Sequence, residues 1–349
     1  MSFTRLTNDD FVVSADSISS TLWTNGSPSL QTAFTSSTQT AGSTGDFYIN
    51  VYQTAATESI QFALAYGNSM GSGSAVYNPA VDGKSPTSTI YGQWQDLVIG
   101  DENTDFVFGA FTSTEFFAMP FERACYKEKI FLGSTSLSIS GSLGTIELTD
   151  NSNYVTSVQF NEAGRVFQLI SGSQGVVSAN ANAPATGYTT DSGSYGWLLP
   201  DIGAIILNPY ALSGSLAAGG CGFTYSGSAY SGSAVYTPNT AAPSQLFRAI
   251  SGSINNNDYF FINSEETITS DFIFVRPRSS EYNYSANPSF ISGSTGEVLY
   301  PSFINNPQVY MTTVGLYSDT NELLAVAKLS RPLVKDFTKE ALIRVKLDF

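Results

Sequence analysis

The carboxylates are the first place to look for chemistry, because the chain's 349 residues include no histidine. That absence excludes Ser-His-Asp and Cys-His nucleophilic catalysis, histidine-ligated metals and an imidazole proton shuttle. Glu265-Glu266 is a candidate pair for glycoside cleavage, which needs two carboxyl groups flanking one bond. Neighbours on a strand point to opposite faces, so the pair cannot flank a bond by itself, and no partner elsewhere identifies itself. Asp101-Glu102-Asn103-Thr104-Asp105 sets oxygen ligands at alternate positions, like the opening of a calcium loop. Phe106 stands where that loop needs glycine and Thr112 where it needs glutamate, so the stretch reads as a solvated acidic turn. There is no phosphate-binding G-x-x-x-x-G-K-[ST] sequence. Cys125 and Cys221 are far apart and in no C-x-x-C arrangement, which indicates neither a disulfide framework nor a zinc site. The expectation is a chain that is not an enzyme and takes no cofactor or metal.

Charge narrows the partners. A net charge of −14 argues against nucleic acid, whose phosphates call for clustered Lys and Arg. The charge is uneven: residues 323–349 hold six basic and three acidic side chains, a net of +3 against −17 for the rest. Lys328, Arg331, Lys335, Arg344 and Lys346 from this segment are therefore candidates for contact with an acidic neighbour. Tyr282-Asn283-Tyr284 and Phe116-Phe117 can be read in two ways. Aromatic faces and amides could form a platform for glycan, whereas core packing and subunit contact are the commoner uses of such residues. Tyr282 and Tyr284 join the candidate interface on the second reading.

The elements that would position these groups are strands. Charged residues make up only 13% of the chain and aromatics another 13%, and short runs rich in Val, Ile, Thr, Tyr and Phe are bounded by Gly, Ser, Asn or Pro. Such runs are Phe47 to Tyr52, Ser59 to Tyr66, Phe106 to Phe111, Thr145 to Leu148, Ala204 to Leu207, Asp258 to Ile262, Asp271 to Val275 and Val309 to Tyr317. No window of a dozen residues carries a convincing helical stripe. The fold class is all-β: antiparallel sandwich or barrel-like units with long Ser/Gly-rich loops and few or no helices.

The clearest piece lies in residues 309–349. Tyr310 to Tyr317 and Glu322 to Leu329 flank the turn-forming Ser318-Asp319-Thr320-Asn321, which predicts a β-hairpin. In Ala341 to Phe349, Ala341, Ile343, Val345, Leu347 and Phe349 alternate with Leu342, Arg344, Lys346 and Asp348, the pattern of a half-buried closing strand whose last residue is packed. Ser-Gly-Ser recurs nine times at irregular spacing, which reads as turns and loops and not as a solenoid repeat. Residues 171–244 are the richest in it and are expected to hold long loops. Two β-rich regions are expected, 1–150 and 151–349. Nothing near Met1 reads as a signal peptide, and no apolar run approaches a bilayer span, so a soluble protein made in a reducing cytoplasm is expected, with no membrane partner.

Several segments resemble a family of virion structural proteins from large contractile-tailed phages, including cyanophage-type myophages. They are Gln61 to Gly67 with Gly71 to Ser74, Arg123 to Lys129, Leu148 to Ser152, Glu162 to Phe167, Glu265 to Ser270 and Glu281 to Ser285. Tyr310 to Tyr317, Leu323 to Pro332 and Lys339 to Phe349 complete the set, and this C-terminal motif is the most specific. The resemblance implies a place in a phage particle, in the tail or baseplate, with other virion proteins and copies of itself as partners. It brings no active-site residues with it. The alternatives are a structural subunit at the neck or capsid surface, or a receptor-recognition protein that binds host glycan.

Overall fold

The computed structural model describes residues 4–23, 33–35, 47–53, 59–71, 85–141, 144–178, 193–216, 242–251, 260–285 and 287–348, with positions 26, 28 and 80. Phe349, Cys221, the Ser-Gly-Ser tripeptides at 72–74, 226–228 and 231–233, and much of the loop-rich 171–244 stretch lie outside the described residues. In chain order the elements begin with β1 (Phe11–Thr21), β2 (Ala33–Thr35), β3 (Tyr48–Tyr52), β4 (Ile60–Asn68), α1 (Pro86–Val98), β5 (Phe106–Phe108), β6 (Phe111–Ser113) and β7 (Glu115–Pro120). Next come β8 (Lys129–Ile130), β9 (Ser136–Gly141), β10 (Gly144–Asp150), β11 (Gln159–Asn161), β12 (Gly164–Ser173), β13 (Val176–Val177), β14 (Gly196–Leu199) and β15 (Ala204–Leu207). The rest are α2 (Pro209–Leu216), α3 (Ala242–Ser251), β16 (Phe260–Phe261), β17 (Asn263–Val275), α4 (Pro301–Asn305), β18 (Val309–Tyr317), β19 (Leu323–Lys335) and β20 (Ile343–Asp348).

The all-β class holds. The chain divides into two compact units, Met1–Ser17 with Thr267–Phe349 (unit 1) and Ile18–Glu266 (unit 2). Residue 150, where the sequence suggests a division, falls inside unit 2 as the last residue of β10, which pairs with β12 from Leu148 opposite Ser171 to Asp150 opposite Leu169.

Unit 2 is organised around one antiparallel sheet in the order β16-β9-β10-β12-β14-β15-β7-β4-β3-β2. Its middle strands are apolar on both faces. In β7, Phe117 and Met119 point into one core and Phe116 and Ala118 into the other; in β15, Ile205 and Leu207 alternate in the same way with Ala204 and Ile206. The first core is closed by Ala211 and Leu212 of α2 and by Leu246, Ala249 and Ile250 of α3. The second is closed by Tyr91 and Val98 of α1 and by Phe106 and Phe108 of β5. Burial on both faces removes the polar alternation of a half-buried strand, which is why Ala204 to Leu207 is apolar throughout.

Helix α1 corrects the sequence reading. Tyr91, Trp94, Gln95 and Val98 do stand at the i, i+3, i+4, i+7 spacing, but the polar Gln95 hides the stripe. Gln95 is nonetheless buried, because its Nε2 donates to the Thr104 carbonyl at 2.6 Å. The helix starts where Pro86 supplies a fixed φ and the Ser85 amide donates to Ser88 Oγ at 3.2 Å. The run Phe106 to Phe111 is also two strands and not one: β5 and β6 pair with Phe108 opposite Phe111. The Ser-Gly-Ser tripeptides are not uniformly loops either. Ser171 to Ser173 ends β12, where Ser171 Oγ meets Ser178 Oγ and Ser173 Oγ meets Ser136 Oγ, each at 3.0 Å. Ser213 to Ser215 lies within α2.

The turn joining β14 to β15 is tied down by an ion pair. Arg165 Nη2 donates to Asp201 Oδ1 at 2.6 Å, and the Arg165 amide donates to Asp201 Oδ2 at 2.8 Å. Burial alone would raise the Asp201 carboxyl, but the Arg165 side-chain and backbone hydrogen bonds outweigh it and hold the group below the usual range. A carboxyl depressed in the folded state stabilises the fold above its unfolded pKa, and that contribution disappears as pH falls through the folded value. Arg165→Gln should therefore cost about 1 kcal/mol at neutral pH, a figure reduced for the pair's partial exposure, and almost nothing in strong acid. Urea titrations at the two pH values check this; an equal loss at both would assign the effect to packing.

Candidate interaction surface

Unit 1 is two layers. One is the sheet β1-β17-β20, in which β17 and β20 are in register with Ile273 opposite Val345 and Val275 opposite Ile343. The alternation expected for the closing strand holds: Ile343 and Val345 are buried, while Arg344, Lys346 and Asp348 are exposed. The other layer is the hairpin β18–β19, which presents Met311, Val314, Leu316, Ala327 and Leu329 to Ile273, Ile343 and Val345. The expected turn forms: Asn321 takes a left-handed φ of 63°, Ser318 N donates to Glu322 O at 2.8 Å, and Glu322 N donates to Ser318 Oγ at 3.0 Å.

The hairpin's outer side is apolar and wet. Tyr310 is 65% exposed, Leu324 68% and Val326 54%. Two irregularities in β19 shape it. Leu316 faces Ala325 but Tyr317 faces Leu323, which leaves Leu324 as an extra residue pushed outward. Met311 faces Leu333 but Thr313 faces Lys328, so Leu329 to Pro332 bulge away from the ladder and carry Arg331 into solvent.

The charged candidates separate. Lys328 and Arg331 are exposed on β19. Arg344 and Lys346 stand on the exposed face of β20 beside Phe272, with the guanidinium carbon 5.4 Å and the ammonium 5.9 Å from the ring centroid. Hydrogen bonds from Lys346 and then Ser270 hold the Asp348 carboxyl below its usual range, and Lys346 is thereby partly neutralised. Lys335 is not an interface residue. It is 0% exposed, and its ammonium donates to Ser279 O at 3.0 Å, Asn283 Oδ1 at 2.7 Å and Asp336 O at 3.0 Å. Three donors meeting three acceptors leave no unsatisfied hydrogen, which is what makes the burial of a lysine tolerable.

That lysine also decides the tyrosine segment. Asn283 is buried with its amide committed to Lys335, so it offers nothing to a sugar. Tyr282, at a left-handed φ of 53°, hydrogen-bonds Thr4 Oγ1 at 2.8 Å, and Tyr284 stands exposed. Phe116 and Phe117 are core residues on opposite faces of β7 and form no platform.

The acidic motifs are engaged within the fold. Glu265 and Glu266 are neighbours within β17, and Glu265 lies 3.9 Å from Lys129. Asp101 accepts from Thr104 Oγ1 at 2.6 Å and from Asn103 N at 3.0 Å, bonds that lower its pKa and close the turn. Among the described residues no group of three or more Cys, Asp or Glu side chains is placed to hold a metal ion. Burial pushes the Cys125 thiol up, away from a reactive thiolate. Glu115 is fully buried, accepting from the Tyr66 hydroxyl, and burial followed by its charge pushes Tyr210 up to about 12. With the carboxylate at zero exposure, this cluster is a polar knot in the core.

No protein-family model, curated protein or solved structure matches this chain.

The feature that sequence reasoning missed is β1. Every residue of this strand except Ser14 is exposed, including the consecutive Phe11, Val12 and Val13. The signal was available: Phe11 to Val13 is an apolar run beside Asp9 and Asp10, and residues 6–83 contain no Lys or Arg.

Proposed function

We propose that this chain is a non-enzymatic structural subunit of a tailed-phage virion, placed in the tail or baseplate and acting through protein–protein contacts. The observation that carries the reading is the wet apolar outer side of the hairpin β18–β19. Exposed apolar surface of this kind marks contact with another macromolecule. It falls in the segment, Tyr310 to Tyr317 and Leu323 to Pro332, where the resemblance to contractile-tail virion proteins is most specific. The absence of histidine and the commitment of the acidic motifs to turns and cores support a role without catalysis.

Immunogold labelling of intact virions and isolated tails with an antibody against the chain tests the proposal. Label on the baseplate or tail supports it. Label on the head or neck keeps the structural class and discards the placement, and unlabelled particles discard the reading.

A further inference from the structure

We propose that β1 of one copy adds as an extra strand to the open edge of β19 in a second copy, joining unit 1 of one chain to unit 1 of the next head to tail. The inference deepens the assembly role, on which it rests, by naming one partner: the chain itself.

The two strands share three properties. Each has an open edge, since among the described strands β1 pairs with β17 alone and β19 with β18 alone. An edge strand offers a row of backbone donors and acceptors to any strand laid beside it. Each exposes apolar side chains that its own unit leaves wet, Phe11, Val12 and Val13 on β1 and Leu324 and Val326 on β19. They are also similar in overall length, 11 and 13 residues, with Leu323 to Lys328 the part of β19 that precedes its large bulge and can take a strand alongside.

Charge selects the pairing. β1 carries one charged residue, Asp16, and follows Asp9 and Asp10. β19 carries Lys328 and Arg331 in solvent and no acidic residue from Leu323 to Lys335. Laying β1 on β1 sets carboxylates against carboxylates, and laying β19 on β19 sets cations against cations. Only the mixed pairing brings opposite charges together, so the same residues that attract the right edge repel the two wrong ones. Because the two surfaces differ, the contact is heterologous, and repeated around an axis it closes a ring or runs on as a filament.

Sedimentation velocity on the full chain, over a range of concentrations, tests this. Wild type should associate as concentration rises. Asp16→Lys and Lys328→Glu should each weaken association about tenfold by setting like charges across the contact. The double variant D16K/K328E restores opposite charges with exchanged signs and should associate like wild type. Both sites are exposed, so all three variants should keep the wild-type melting temperature, which excludes misfolding as the cause. A chain that stays monomeric at every concentration, single variants that associate normally, or a double variant as weak as the singles would each overturn the proposal. A monomeric chain that still labels the tail removes this contact and leaves the virion role standing. Charge-restored association by a chain absent from the particle supports the contact and removes that role.

Discussion

Replacing Lys335 by methionine should destabilise the protein by about 3 kcal/mol, because three buried oxygens lose their donor at once. Methionine keeps most of the apolar stem, so lost packing contributes little and the effect isolates the ammonium. The acceptors left behind are the Ser279 and Asp336 carbonyls and the Asn283 side-chain oxygen, in a place where water does not reach the lysine they held. The loss should be local as well as global. Ser279 and Asn283 belong to the segment after β17 that carries Tyr282 and Tyr284, and Lys335 is its tether to the end of β19. Thermal melting combined with limited proteolysis reads both effects: a lower midpoint, and new cleavage between Arg278 and Ser285. Lys335→Arg should not restore the wild type, since a planar guanidinium cannot direct three donors into a pocket shaped for an ammonium. A methionine variant within about 0.5 kcal/mol of wild type, the range of ordinary surface changes, would refute the tether.

Gly193→Ala should cost more than about 4 kcal/mol and leave unit 2 largely unfolded. Gly193 has a φ of 72°, and a methyl group there would overlap the carbonyl oxygen of Phe108 and press on Phe111. That carbonyl cannot retreat, because it also accepts from the Ser194 amide at 3.2 Å, while Ser194 is buried with its hydroxyl hydrogen-bonded to Gln168. Gly293→Ala is the matching control. It sits in the same Ser-Gly-Ser context, with nothing within 4 Å of where the methyl would go, and should change stability by less than about 0.5 kcal/mol. Circular dichroism and urea unfolding of the two variants decide the matter. Equal effects would mean that the tripeptide and not its surroundings sets the cost.

That contrast shows where sequence reading stops. A tripeptide read as a turn is a buried crossing at 193, a strand end at 171, part of a helix at 213 and an open turn at 292, because its meaning depends on what packs above it. The hairpin at Ser318 to Asn321 and the closing strand at Ile343 to Asp348 were legible because turn chemistry and two-residue alternation are local properties. Helix α1 was hidden by one buried glutamine whose partner, the Thr104 carbonyl, is made only by the fold. Of the seven candidate interface residues, Lys335 failed for the same reason. A lysine reads as surface until three oxygens converge on it, and those come from distant parts of the chain. Leu324 and Arg331 reach solvent at two bulges in β19, and bulges leave little trace in a pattern of two.

The doubly buried strands of unit 2 carry one more consequence. A strand with one wet face is held in place by its own pattern, since sliding it by one residue turns its apolar side chains to water. β14 and β15 have no such protection: Trp197, Leu198 and Leu199 against Ile206, Ile205 and Ala204 would stay in oil after a slip in either direction. Their alignment must be fixed from the loop that joins them, and all four of its residues are fastened. Pro200 O accepts from Ile130 N, Asp201 from Arg165, Ile202 O from the Tyr126 hydroxyl, and Gly203 O from Phe121 N. The loop acts as the clasp that keeps two interchangeable ribbons from sliding, and the middle of the sheet inherits its alignment from four anchors at one end.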